Sequence, residues 1–352
     1  MRDASALSWW NMTPQEVREK INQHIAGIKA PIPTVWSVED RVVKEKDRNT
    51  PIRIYTPDQE NDFPVVLLIH GGAWVAGNLD THDNLARYLC SKTKAIVVSV
   101  GYTNPPEGKF PLPLEQCYDT LLWIADYGNE FSANSKKIAV VGDSAGGNMA
   151  AALCLIARDR SGPKINLQVL INPAPDLTCN GTIERQGDAL DILRWQAFQY
   201  LSDPADINNP YVSPLIATEL NGLPATVILL AEKDDLHDAG QKYADRLHAA
   251  GVPTFVYCQQ GIGHLAGDGA KASLPARAHT FTHNFSLTHF KFLCALQPSV
   301  LKYSFCIPIH ITLGPGGPSF FLPKYPPIIA IILIISPNDG ALGGGFFFFT
   351  IA

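Results

Sequence analysis

The chain lacks any paired-cysteine signature: its seven cysteines are scattered, odd in number and free of a C-x-x-C spacing. That argues against a disulfide framework, offers no zinc site, and fits the reduced, buried thiols of an intracellular protein. Met1 to Trp10 has no basic segment followed by an apolar one, so no secretory signal is expected. The apolar run Ile328 to Ile335 falls far short of the roughly 20 residues that span a bilayer. Long basic runs are missing too, and the formal net charge of −5 argues against nucleic-acid or anionic-membrane partners. The expectation is a cytoplasmic protein that binds no nucleic acid and makes no stable membrane insertion.

What is present is an ordinary globular composition, 46% hydrophobic and 17% charged over 352 residues, enough for one large α/β domain or two smaller ones. Thr13 to Ile28 reads as an amphipathic helix, with Thr13 as N-cap, Pro14 at the first helical position and Glu16 completing a capping box. Val38–Val43 and Ile52–Tyr55 read as an antiparallel pair joined by the charged segment Lys44 to Asn49. From Val65 onward, short continuous apolar runs alternate with helical patterns. The runs are Val65–Ile69, Ala95–Val100, Ile138–Val141, Leu167–Ile171, Thr226–Ala231 and Thr254–Tyr257. Such alternation predicts a mostly parallel sheet with helices on both faces, the α/β class.

The helix-rich stretch Asp188 to Ser202 interrupts the pattern and reads as an insertion over the carboxyl edge of the sheet, with the N-terminal helix as its partner. Three regions follow: N-terminal cap helices over 1–45, a catalytic domain over 46–298 with a cap insertion near 180–210, and a tail over 299–352. The tail is low in charge and rich in Gly, Pro and Phe. It is expected to be non-native or disordered, with a membrane-associating tail as the alternative.

The chemistry centres on Gly142-Asp143-Ser144-Ala145-Gly146-Gly147, where an apolar strand feeds into Gly-x-Ser-x-Gly and an alanine-rich helix follows. That is the strand, tight turn and helix of a nucleophile elbow. It would expose the Ser144 hydroxyl and set the Ala145 amide at a helix N-terminus. Leu67–Ile69 ends in His70-Gly71-Gly72, a loop suited to the other half of an oxyanion hole, so Gly71, Gly72 and Ala145 are the candidate donors. His70 reads as bracing for that loop.

A serine needs a histidine base and a carboxylate that fixes its tautomer, in the chain order Ser, acid, His. Asp234, after strand Thr226–Ala231, is the candidate acid, with Glu232 as fallback. His264, in the loop Gly261-Ile262-Gly263-His264, is the candidate base. Trp74, Asp143 and Trp195 are candidate pocket residues. His279, His283 and His289 share a helical pattern without carboxylate or cysteine partners, so no metal is expected.

These motifs, with Ala231-Glu232-Lys233-Asp234, Gly77 to Asp83 and Tyr200 to Asp203, resemble the hormone-sensitive-lipase-like group of α/β-hydrolases, and within it the bacterial acetyl esterases. The resemblance covers roughly residues 10 to 297. It implies an eight-stranded hydrolase sheet, a helical cap from the N-terminus and the 180–210 insertion, and a preference for short acyl esters. Three places depart from the family pattern: Ala73 stands where a third glycine is usual, with its amide still available. Tyr102-Thr103-Asn104-Pro105-Pro106-Glu107 replaces Tyr-Arg-Leu-Ala-Pro-Glu, and Asp235 replaces a proline.

The resulting expectation is a serine carboxylesterase acting on small ester substrates through an acyl-enzyme, with no cofactor and compatible with a homodimer. An amidase or carbamate hydrolase on the same triad, or a non-catalytic ligand receptor, are the alternatives.

Overall fold

A computed structural model describes residues 12–26, 32–179 and 188–264. Eight strands form one sheet in the order β1-β2-β4-β3-β5-β6-β7-β8. In chain order they are β1 Ser37–Glu45, β2 Arg48–Thr56, β3 Phe63–Ile69, β4 Ile96–Val100, β5 Ala133–Asp143, β6 Leu167–Ile171, β7 Ala225–Ala231 and β8 Thr254–Gln259. Strand β2 pairs antiparallel with both β1 and β4, and every later pairing is parallel.

The continuous apolar runs are explained by burial on both faces. In β3, Val65, Leu67 and Ile69 point into one core while Val66 and Leu68 point into the other. Ile138 and Val140 of β5 join the first core, and Ala139 and Val141 the second. Side chains of a strand alternate between faces, so a run apolar at every position must be covered twice. Helix α2 (Asp83–Thr93) covers one face. Helices α3 (Leu112–Tyr127), α4 (Ala145–Asp159) and α6 (His237–Ala249) cover the other.

Helix α1 (Pro14–Ala26) opens with the reciprocal capping bonds that its sequence implies. The Thr13 amide donates to Glu16 Oε2 at 2.7 Å, and the Glu16 amide to Thr13 Oγ1 at 3.3 Å. Its Val17 packs with Val75, Ala76 and Trp195, the last carried by helix α5 (Asp188–Tyr200). Helices α1 and α5 therefore meet over the loop that follows β3.

The domain boundary expected at residue 45 is corrected. Ser37–Glu45 is a full strand of the sheet, paired residue for residue with β2, so the sheet begins well before that boundary. The hairpin turn is only Lys46-Asp47, and the charged residues flanking it lie in the strands. The tail expected over 299–352 and the trio His279, His283 and His289 lie outside the described residues.

Candidate functional site

The parallel strands deliver their successor residues to one edge of the sheet, the usual position for an α/β site. Strand β5 ends at Asp143, and Ser144 sits at the turn into α4 with φ 52° and ψ −118°. A positive φ at a non-glycine residue costs about 1–3 kcal/mol and persists only where neighbours enforce it. Here the Ser144 amide donates to Ile171 O at the end of β6 (2.8 Å). Gly146 closes the turn against β3: a Cβ there would lie 2.6 Å from His70 O and also strike Ile69 O. Only glycine permits that approach.

Ser144 Oγ lies 3.0 Å from His264 Nε2, and His264 Nδ1 lies 2.7 Å from Asp234 Oδ2. Assigning the ring proton to Nδ1 leaves Nε2 free to accept from the serine hydroxyl. Asp234 is buried, and its second oxygen accepts the Leu236 amide at 2.9 Å. Glu232 takes a different part: its Oε2 accepts the Gly261 amide at 2.5 Å. With the Lys233 amide bonded to Ile262 O (2.8 Å), this laces the β7 exit to the loop that carries His264.

The loop after β3 approaches Ser144 from the other side. Gly72 has φ +124°, and Ala73 and Trp74 follow at φ 56° and 62°. The assignment of Gly71 as an oxyanion donor is corrected: its amide donates to Asp143 Oδ1 at 3.0 Å. An N–H spent on a buried carboxylate is not available to substrate.

Asp143 itself is buried, as is His82, whose Nε2 stands 3.2 Å from the same oxygen without hydrogen-bond alignment. Burial alone would raise the Asp143 carboxyl. The charge and proximity of His82 and the Gly71 amide outweigh it and hold the group below the usual carboxylate range. Asp143 is thus a brace behind the loop, which corrects its candidacy as a pocket residue.

His70 is fully buried with its ring stacked on Tyr102, centroids 4.1 Å apart, and Nδ1 3.0 Å from Gly71 O. Burial, with His82 opposite, pushes its pKa down to about 3, so the imidazole stays neutral. Trp74 is also corrected as a pocket wall. It is 1% exposed and stacked on Tyr200 within the core, centroids 5.1 Å apart. Trp195 is partly buried, packed against the cluster of Val17, Val75 and Ala76 beside the loop.

Among the described residues no group of three His, Cys, Asp or Glu could hold a metal ion, and no helix is long and apolar enough to cross a membrane. The arrangement can polarise a serine hydroxyl and face a developing oxyanion with backbone amides.

Sequence reasoning did not find the roles of His82, Asn104 and Arg18. Asn104 Nδ2 donates to Trp74 O and Ala76 O, and Arg18 Nε to Val75 O. Asn104 was visible only as a departure from the family pattern, and Arg18 carried no signal.

A family model described as alpha/beta hydrolase fold matches residues 66–266. An arylesterase of Saccharolobus solfataricus is 38% identical over 256 residues, 71% of this chain and 83% of that one. An ethyl acetate hydrolase of Pseudomonas putida is 31% identical over 259 residues, 71% of this chain and 81% of that one. Among solved structures, a Pyrobaculum calidifontis esterase aligns with a TM-score of 0.74 at 33% identity, covering 81% of this chain and 96% of that chain.

Proposed function

The chain belongs to the hormone-sensitive-lipase-like α/β-hydrolases, and from that premise we propose that it cleaves short-chain acyl esters through an acyl-enzyme on Ser144. It is a carboxylic ester hydrolase, as its arylesterase and ethyl acetate hydrolase relatives are named. The observation that carries the mechanistic reading is the hydrogen-bonded line Ser144 Oγ, His264 Nε2, His264 Nδ1, Asp234 Oδ2, at 3.0 Å and 2.7 Å.

In the first step His264 Nε2 takes the Ser144 proton as Oγ bonds to the ester carbonyl carbon, and the carbonyl π pair moves to oxygen. The amides of Gly72, Ala73 and Ala145 stabilise that oxyanion. Ala145 contributes from the N-terminus of α4, where backbone N–H groups have no partner within the helix. Collapse of the tetrahedral adduct breaks the bond to the alkoxide, which takes its proton from His264. Water then attacks the acyl-enzyme by the same route, giving the acid and free Ser144. Asp234 stabilises the imidazolium in both halves.

Trp195, beside the oxyanion loop, is the pocket residue that this reading retains. An apolar pocket distinguishes neighbouring acyl lengths by only about 1–3 kcal/mol per methylene. The expected profile is therefore turnover of acetyl to hexanoyl esters and little turnover of dodecanoyl esters.

The test assays p-nitrophenyl esters from acetyl to dodecanoyl, with an anilide and a carbamate beside them, on wild type and Ser144→Ala. The reading expects ester turnover that favours short chains and disappears in the alanine variant. Full activity of Ser144→Ala would refute it, and faster cleavage of the anilide or carbamate would move the substrate class.

A further inference from the structure

Helix α1 lies far from Ser144 in sequence, yet its Arg18 is bonded to the backbone of the oxyanion loop. All five guanidinium N–H groups are engaged. Nε donates to Val75 O (2.8 Å), Nη2 to Pro105 O (2.8 Å) and Glu107 Oε2 (2.6 Å), and Nη1 to Glu107 Oε1 (3.0 Å) and Gln15 Oε1 (3.4 Å).

The consequence follows from peptide geometry. In a trans peptide the C=O and the next N–H point in opposite directions within one rigid plane. Val75 O and the Ala76 amide share such a plane, and the Ala76 amide donates to Gly72 O at 2.9 Å. Gly72 O shares its plane with the amide of Ala73. A continuous line therefore runs from Arg18 Nε through Val75–Ala76 and Gly72–Ala73 to the Ala73 N–H.

We propose that Arg18 is a positioning residue for acyl transfer: through these two peptide planes it aims and polarises the Ala73 amide toward the oxyanion. The inference rests on the oxyanion reading above. Chained hydrogen bonds polarise one another, so a cation on Val75 O strengthens each donor downstream.

Asn104 keeps the relay in register from either side by donating to Trp74 O (2.5 Å) and Ala76 O (3.0 Å). Its own loop is fixed to α3, where Gln116 accepts the Thr103 amide (2.8 Å) and donates to Thr103 Oγ1 (3.1 Å). The Gly77 amide donates to Asn22 Oδ1 of α1 at 3.2 Å. The N-terminal helix is thus part of the machinery that sets the oxyanion hole, in addition to forming a cap.

The experiment compares wild type, Arg18→Gln, Arg18→Lys, Asn104→Asp and Ser144→Ala. It measures kcat and KM on p-nitrophenyl acetate, thermal midpoint, and affinity for an aryl trifluoromethyl ketone that forms an oxyanion with serine. Misaiming one preorganised donor predicts a fall in kcat on the order of tenfold or more for Arg18→Gln, with KM within about twofold. Ketone affinity falls by the same factor, and Arg18→Lys restores part of both. Asn104→Asp loses kcat in the same pattern and serves as the test should Arg18→Gln fail to fold.

Unchanged kcat in the folded Arg18 variants, or a rise in KM alone, overturns the proposal. So does unchanged kcat in Asn104→Asp where Arg18→Gln does not fold. With Ser144→Ala inactive, either result overturns this inference alone. An active Ser144→Ala overturns the catalytic reading and the inference together.

Discussion

The carboxylate of Asp143, one residue before Ser144, accepts the amide of Gly71 at 3.0 Å across 72 positions of chain. The contact ties the elbow after β5 to the loop after β3, so the two halves of the proposed oxyanion hole share one buried brace. His82 lies 3.2 Å from the same oxygen and is 1% exposed. Removing the carboxylate leaves the buried Gly71 amide without its acceptor, typically at about 1–3 kcal/mol. Asp143→Ala should be destabilised by that amount in urea unfolding, and a loss below about 1 kcal/mol would contradict the brace.

His70 gives the protein a specific acid sensitivity. Its imidazole titrates near 6.5 when unfolded and near 3 when folded, so between those values only the unfolded chain takes up the proton. Stability from this group is complete above pH 6.5 and falls as pH drops, by up to about 1.4 kcal/mol per pH unit. Asp143, also held below its ordinary value, loses stability in the same direction at lower pH. From pH 7 to pH 5, wild type should lose about 2 kcal/mol more unfolding free energy than His70→Gln. Equal losses would show that His70 is not buried neutral.

Asp234 and Glu232 sit two residues apart and should behave differently. Asp234→Asn loses the acceptor that holds His264 Nδ1–H and should lower kcat by on the order of 10³–10⁴. Glu232→Gln keeps an oxygen for the Gly261 amide, so kcat should stay within about threefold. A reversed order would make Glu232 the acid.

How much of this was legible follows from the kind of signal each element carries. The strands from β3 onward were readable because a run buried on both faces is apolar at every position, as Val65 to Ile69 are. Ser144, Asp234 and His264 were readable as candidates because each follows a strand at the same sheet edge. Gly71 was misassigned because sequence names a glycine-rich loop without saying which amide faces outward, and that is decided by the Asp143 carboxylate beneath it. Trp74 and Asp143 failed as pocket residues for a related reason: adjacency to a motif in sequence does not give the direction of a side chain. Arg18 donates to the Val75 carbonyl 57 positions away, a relationship that no local pattern encodes.

The most direct test of the central claim is covalent. Incubation with diethyl p-nitrophenyl phosphate, followed by intact-mass and peptide mass spectrometry, should show one equivalent of p-nitrophenolate released. One diethylphosphoryl group should be found on Ser144, with activity lost in step. Inhibited enzyme with Ser144 unmodified, or a label on another residue, would contradict the assignment of Ser144 as the nucleophile.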